Sequence, residues 1–336
     1  MRSKSKSQRR LIALNVICLL WGLGPPCEPA DAPRQRAKAA KSKGDGKLPV
    51  DGWSIGPVKD ALLESNYVSV PAKRCIVKTT VSREAGADIG DFADRYLGLL
   101  NRVFTGQFVI KGSLKLLVFA HQDELDAYYG KAYSTSEKWP RAALYSPHKK
   151  ETWVVLIGQG ENRTLPVETL RHELTHHILH FFTGRAELPP WFDEGAACFF
   201  QYWEVGETKD QNVAQNFGRA RRGDFGYFPE VILETFGTKA FLPPAALVAM
   251  DYDGFHKKAP QLERLHYSES WALINFLATT PSGQKFLDQV LTGLKKGHKT
   301  ERILSGEATE SLRKAWYADI EQRIIPGLKN AGGGGE

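Results

Sequence analysis

Apolar residues follow two regimes along this 336-residue chain. Up to about position 165 they alternate with polar residues in short runs. CIVKTTV, Cys75–Val81, alternates residue by residue and predicts a strand, and SLKLLVFA, Ser113–Ala120, predicts another. RAALYS and TWVVLI, Arg141–Ser146 and Thr152–Ile157, predict paired strands joined by the polar stretch Pro147–Glu151. Between them Ile89, Phe92, Tyr96, Leu99, Leu100 and Val103 recur at helical spacing, which predicts a helix over Ala87–Phe104. HQDELDAYYG, His121–Gly130, predicts a short helix ending at its glycine. From Pro166 onward the spacing is mostly helical, with helices over 166–183, 190–203, 244–252, 268–279, 281–294 and 308–324. Asn212–Pro243 is glycine-rich and irregular. The fold class expected is α+β: a mixed α/β part with a small sheet over 50–165, then a mostly helical part over 166–326. The glycine-rich end, 327–336, is expected to be disordered.

Composition is that of an ordinary globular protein, with 42% hydrophobic and 25% charged residues. The net charge of +7 suggests an acidic partner until its distribution is read. Residues 1–49 hold 11 of the 45 Lys/Arg and 3 of the 38 Asp/Glu, a net +8, which leaves 34 basic against 35 acidic side chains, a net −1. The remainder carries no basic excess, so no nucleic-acid partner is expected. Arg2, Lys4, Lys6, Arg9 and Arg10 precede the short apolar run Leu11–Gly24, the pattern of a secretory signal peptide over 1–30. The run is short for a membrane span and contains Asn15. An uncleaved anchor is the alternative, and either way the domain is expected to be extracytoplasmic, with no membrane association beyond that segment. Residues 31–49 read as a flexible basic linker. Beyond it stand Cys75 and Cys198, as one disulfide or as two buried thiols.

The candidate chemistry lies in RHELTHHILHFF, Arg171–Phe182. Pro166 suits the first turn of a helix, Thr164 its cap and Gly184 its end. At about 100° per residue, His172 and His176 fall within about 40° of each other. Val167, Leu170, Leu174, Ile178 and Phe181 gather on the opposite side. Glu173 lies on the flank, where it can reach a water beside a metal but not the metal itself. This is the mechanical sense of His-Glu-x-x-His as a zinc site. His177 falls toward the packed side, as a core histidine or one standing behind the ligands. His180 lies one turn along, near the cleft.

Catalytic zinc takes three protein ligands and an open position. A histidine at 182 with a glycine three residues earlier would mark one class, but Phe182 and Leu179 occupy those places. The other common solution is a glutamate on the next helix. LPPWFDEGAACFFQ, Leu188–Gln201, supplies Glu194, 18 residues after His176, and Gly195, Ala196 and Ala197 allow close packing of this helix on the first. Trp191 is expected beneath the site, and Phe199, Phe200, Tyr202 and Trp203 in the core.

His-Glu-x-x-His followed by Trp-x-x-Glu-Gly-x-Ala resembles the gluzincin metallopeptidases, and the layout over roughly 65–300 is most similar to the peptidase MA-like, DUF1570-type domain of exported bacterial proteins. The resemblance implies a zincin-like fold and His172, His176 and Glu194 as zinc ligands. It further implies Glu173 as general base and metal-assisted hydrolysis of a peptide or protein substrate. It also implies that strand Thr152–Ile157 borders the cleft and pairs with an extended peptide. Such domains place a Tyr or His downstream to steady the oxyanion. In HYSESWALINFL, His266–Leu277, Tyr267 is the candidate and His266 the reserve. Two positions depart from the pattern. Cys198 stands where an Asp often holds a ligand histidine, and Gln201 where an acid is frequent. They motivate a second reading, a catalytically inactive, zinc-stabilised peptide or cell-envelope binding module on the same fold.

Overall fold

The structure, a computed structural model, describes residues 67–104, 112–139, 141–158, 163–184, 187–203, 228–256 and 259–332. The expected signal segment 1–30, the linker 31–49 and positions 333–336 of the expected tail lie outside them. The described chain is α+β, with a small mixed sheet followed by helices. Among the described residues no helix is long and apolar enough to cross a membrane.

Five strands form the sheet: β1 (Val68–Pro71), β2 (Cys75–Thr79), β3 (Leu114–Phe119), β4 (Ala143–Ser146) and β5 (Glu151–Val155), in spatial order β1-β2-β3-β5-β4. β2, β3 and β5 run parallel, and β1 and β4 are antiparallel edges. Helix α1 (Arg83–Val103) connects β2 to β3, and α2 (Gln122–Tyr133) follows β3. Ser82 caps α1 by accepting the Ala85 N–H at 3.1 Å. The alternation of β2 is visible in its burial: Cys75, Val77 and Thr79 face inward, Ile76 and Lys78 outward. Strands β3 and β5 are covered on both faces, which explains their longer apolar runs. On one face Phe119 and Trp153 meet Tyr128 of α2, with centroids 5.7 and 4.9 Å away. The other face, with Leu116, Val118 and Val154, joins the main core.

The second half begins with α3 (Val167–Thr183), which lies against β4 and β5, and α4 (Pro190–Phe200), packed on α3. Gly184 ends α3 in the left-handed conformation at φ 66°, as its position predicts. Thr164 does not cap α3. It forms a backbone bridge with Ile157 instead, and the helix starts after Pro166. Then follow α5 (Phe228–Thr235), α6 (Pro244–Val248), α7 (Tyr252–Phe255), α8 (Pro260–Thr279), α9 (Pro281–Lys295), α10 (Thr300–Ile303) and α11 (Glu307–Asp319). A π-helical turn over Ile320–Ile324 leads into α12 (Ile325–Gly332).

Several expectations are corrected here. α8 starts eight residues before the predicted 268, because Pro260 serves as its first residue and Leu265 already packs inward. The stretch expected to be irregular contains α5, whose Phe228, Val231 and Ile232 are buried at helical spacing. Phe228 stacks on Trp271 of α8 at 6.1 Å. The predicted helix over 244–252 is two short ones, since Asp251 caps α7 through the Gly254 N–H at 2.8 Å. The chain from 327 to 332 is helical, not disordered, because Leu328 is fully buried. Cys75 and Cys198 are both buried free thiols.

α8 is the spine of the helical half, and α4 lies directly on it. A Cβ at Gly195 would stand 2.8 Å from the Ser270 carbonyl oxygen. The two backbones touch there, and no other residue fits without moving a helix. Beside this contact Glu269 is fully buried, with one oxygen accepting the Leu242 N–H at 2.8 Å. Its Oε2 has no hydrogen-bond partner among the described residues. Burial pushes this carboxyl up to about 8.

Two outcomes follow from this packing. Gly195→Ala should destabilise the fold by about 1–3 kcal/mol, the usual cost of overpacking, read from urea denaturation. The folded chain keeps the Glu269 proton that the unfolded chain releases near 4.5, so this group's stability contribution is lost as pH rises between there and about 8. Glu269→Gln should therefore gain in melting temperature relative to wild type as pH increases through that window. A constant difference across it would show that the carboxyl is ionised throughout.

Candidate metal centre

The stripe His172, His176, His180 recurs every four residues on α3 and faces α4. The opposite stripe, Leu170, Leu174 and Ile178, is fully buried in the core. The helix is also fixed from the sheet side. His177, as expected for the packed side, brings Nδ1 to 3.0 Å from Thr152 Oγ1 of β5. The Tyr145 ring of β4 stacks on His177 at 5.0 Å. Burial holds the His177 imidazolium down to about 3, so this histidine is neutral.

The three sequence-predicted ligands converge. Nε2 of His172 lies 3.6 Å and Nε2 of His176 lies 3.7 Å from the same oxygen, Oε2 of Glu194. One donor atom from each residue falls within 4.8 Å of the others. Both imidazoles are held from behind through Nδ1. His172 Nδ1 is 2.9 Å from Gln201 Oε1, and His176 Nδ1 is 2.8 Å from Asp193 Oδ1. An amide oxygen and a carboxylate oxygen only accept, so each Nδ1 carries a proton and each Nε2 is the nitrogen turned inward, where a metal would take its lone pair in exchange for any proton it holds. The separations of 3.6 and 3.7 Å are too long for hydrogen bonds. Tetrahedral zinc with bonds of about 2.1 Å keeps its ligand atoms about 3.4 Å apart. The donor set, its spacing and its orientation thus fit zinc.

Gln201 and Asp193 answer the question raised by Cys198. That thiol is fully buried, and burial together with the Glu194 charge pushes it well up. The work of holding the two imidazoles falls to a residue seven positions after Glu194 and to the one just before it. Asp193 has a second partner as well, since its Oδ2 lies 3.0 Å from His180 Nε2. Burial pushes Asp193 up, but His176 and His180 outweigh it and hold this carboxyl well below the usual range. Glu194, opposed by burial in the same way, is brought to about 2 mainly by His176 and His172. Burial lowers His176, yet Asp193 and Glu194 overcome it and raise the group to about 9.

Glu173 is buried on the flank of α3, and Oε2 accepts the backbone N–H of Tyr145 at 2.7 Å. Its charge acts on His172, which places it beside the cluster. This contact also corrects the strand expected at the cleft. β5 lies between β3 and β4 and has no free edge. The edge strand is β4, and the amide of Tyr145 on it is already bonded to Glu173.

The downstream residues are arranged differently from expectation. His266 and Tyr267 sit within α8 rather than at its start, and His266 Nδ1 lies 2.8 Å from the Phe255 carbonyl. The group that approaches Glu194 is His256, just after α7, with Nε2 3.9 Å from Oε1. Its Nδ1 is 3.4 Å from Glu263 of α8, and its Nε2 has no hydrogen-bond partner among the described residues. Tyr267 is linked to it by ring contact, at 5.9 Å between centroids. No motif in the sequence marks His256, since it lies 62 residues past Glu194 in an irregular stretch. Asp193 could have been found from its neighbour Glu194, and Gln201 from its position two helical turns along. No protein-family model matches this chain, and no curated protein matches its sequence, so its reading rests on this geometry alone.

Proposed function

We propose that the chain is an exported, zinc-dependent metallopeptidase of zincin-like fold that hydrolyses peptide bonds. The observation that carries this reading is the convergence of two backed imidazole Nε2 atoms on one oxygen of Glu194. His172, His176 and Glu194 would hold the ion. When bound, zinc supplies a Lewis acid that polarises a carbonyl and lowers the pKa of a water toward neutrality. Glu173 takes a proton from the attacking water and returns it to the departing amine nitrogen. For that it leaves or shares its bond to the Tyr145 amide. His256, with Nδ1 on Glu263, would as an imidazolium donate from Nε2 to the charge that develops on the carbonyl oxygen, with Tyr267 packed beside it. Export rests on the basic and apolar pattern of residues 1–30.

Two observations favour the second reading, the inactive zinc-stabilised binding module. Glu173 is engaged by the edge strand, and His256 Nε2 stands 3.9 Å from Oε1 of Glu194, from where a movement of its side chain would bring it to the fourth position of the ion. A closed tetrahedral site is structural.

Metal content by mass spectrometry and turnover of a peptide library test the two together. Wild type and Glu173→Gln should carry near-stoichiometric zinc, and Glu194→Ala should lose it. Wild type should cleave peptides, with Glu173→Gln slower by about 10²–10⁴-fold. Zinc without any turnover would establish the binding module, and no zinc in wild type would overturn both readings. His256→Ala separates its two roles: retained zinc with kcat about 10²–10³-fold lower marks the donor, whereas lost zinc marks a fourth ligand.

A further inference from the structure

We propose that His180, which is no ligand, is a positioning residue that sets the affinity and geometry of the metal centre by fixing the plane of Asp193. The inference rests on His172, His176 and Glu194 being that centre. His180 is the one member of the α3 stripe that the proposed hydrolysis leaves unused. Its side chain is 9% exposed, and its Nε2 is committed to Asp193 Oδ2 at 3.0 Å. Because a carboxylate oxygen only accepts, Nε2 is the protonated nitrogen and is closed to metal.

Asp193 uses its two oxygens on two histidines, Oδ1 on His176 and Oδ2 on His180. The terminal torsion of an aspartate is broad and only weakly fixed by its own chemistry. One hydrogen bond leaves the carboxylate free to rotate about it, and two fix its plane. Losing the His180 bond would let Oδ1 swing off the line to His176 Nδ1. His176 would then lose the contact that selects its tautomer and aims Nε2 inward. His172 has no comparable dependence, since its Nδ1 is held by the neutral amide of Gln201. The two imidazole ligands are thus unequal. One is backed by an anion and is the stronger donor, and that anion is tied to His180.

The same residue reaches the base. The His180 ring packs on Tyr145 at 5.3 Å between centroids, and the Tyr145 N–H is the donor that holds Glu173 at 2.7 Å. A continuous line of contacts therefore runs from Glu173 through Tyr145, His180 and Asp193 to His176, joining β4, α3 and α4.

The test compares His180→Gln, whose amide nitrogen stands about where Nε2 does, with His180→Phe, which keeps the packing on Tyr145 and removes the donor. Zinc affinity is measured by competition with a chromophoric chelator, and the visible spectrum of the cobalt-loaded protein reports ligand geometry. Circular dichroism and melting of the metal-free proteins report the fold. His180→Phe should bind zinc about 10–100-fold more weakly with an altered cobalt spectrum, and His180→Gln should stay within about threefold of wild type, as expected for a residue that orients a ligand. Wild-type affinity and spectrum in His180→Phe would overturn the proposal while leaving the metal centre intact. So would equal weakening in His180→Gln and His180→Phe together with equal loss of metal-free stability. A wild-type chain that binds neither ion would overturn the metal centre itself, and the role of His180 with it.

Discussion

Helix α3 buries His172, Glu173, His176, His177 and His180 together, and the surrounding structure answers to that burial. Removing an ionised side chain from water costs several kcal/mol unless a partner compensates it. Each of these groups therefore meets something: Gln201 behind His172, the Tyr145 amide on Glu173, Asp193 on His176 and His180, Thr152 on His177. Among the described residues, these partners come from the β4–β5 end of the sheet and from α4 with the residue that ends it. This is why α3 lies between them. Leu170, Leu174 and Ile178 would pack against many surfaces, but the polar stripe accepts this one.

α4 can supply its carboxylates at the right depth only because it is pressed from the far side. Gly195 sits against the Ser270 backbone, one position after Glu194. Trp191 donates its indole N–H to Thr300 Oγ1 at 3.3 Å, which ties the start of α4 to α10. A side chain at 195 would have to displace α4 from α8, and with it Asp193 and Glu194. The helices after residue 228 thus act on the chemistry at a distance. They contribute His256 and Glu263 near the site, and otherwise they set how far α4 stands from α3.

The same geometry bears on both proposed readings, an enzyme and a binding module. A general base has to release the group that holds it, and an open coordination position has to stay clear of further ligands. Glu173 is held by a single backbone amide, a contact worth about 1.5–3 kcal/mol for an ionised acceptor, which an incoming substrate can replace. His256 lies at the boundary between a donor and a fourth ligand. The difference between the two outcomes is a movement of a side chain, not a change of fold.

Residue spacing pointed to the three residues whose side chains the fold brings together. His172 and His176 share a face because the helix period brings positions four apart together, and Glu194 follows after just enough chain to turn and return. The alternation of β2, the helical runs of α1 and α3 and the stop at Gly184 were legible for the same reason, since each depends only on near neighbours. Local pattern misjudged α8, α5 and the segment after 327, where Pro260, Phe228 and Leu328 act through residues far away in the chain. The resemblance pointed to β5 rather than β4 as the cleft strand, and a long apolar run cannot say which strand is the edge. Local pattern passed over Asp193 and His256 and misread Gln201. The role of a polar side chain is set by what stands opposite it, and only the tertiary structure brings together residues 17, 29 and 62 positions apart.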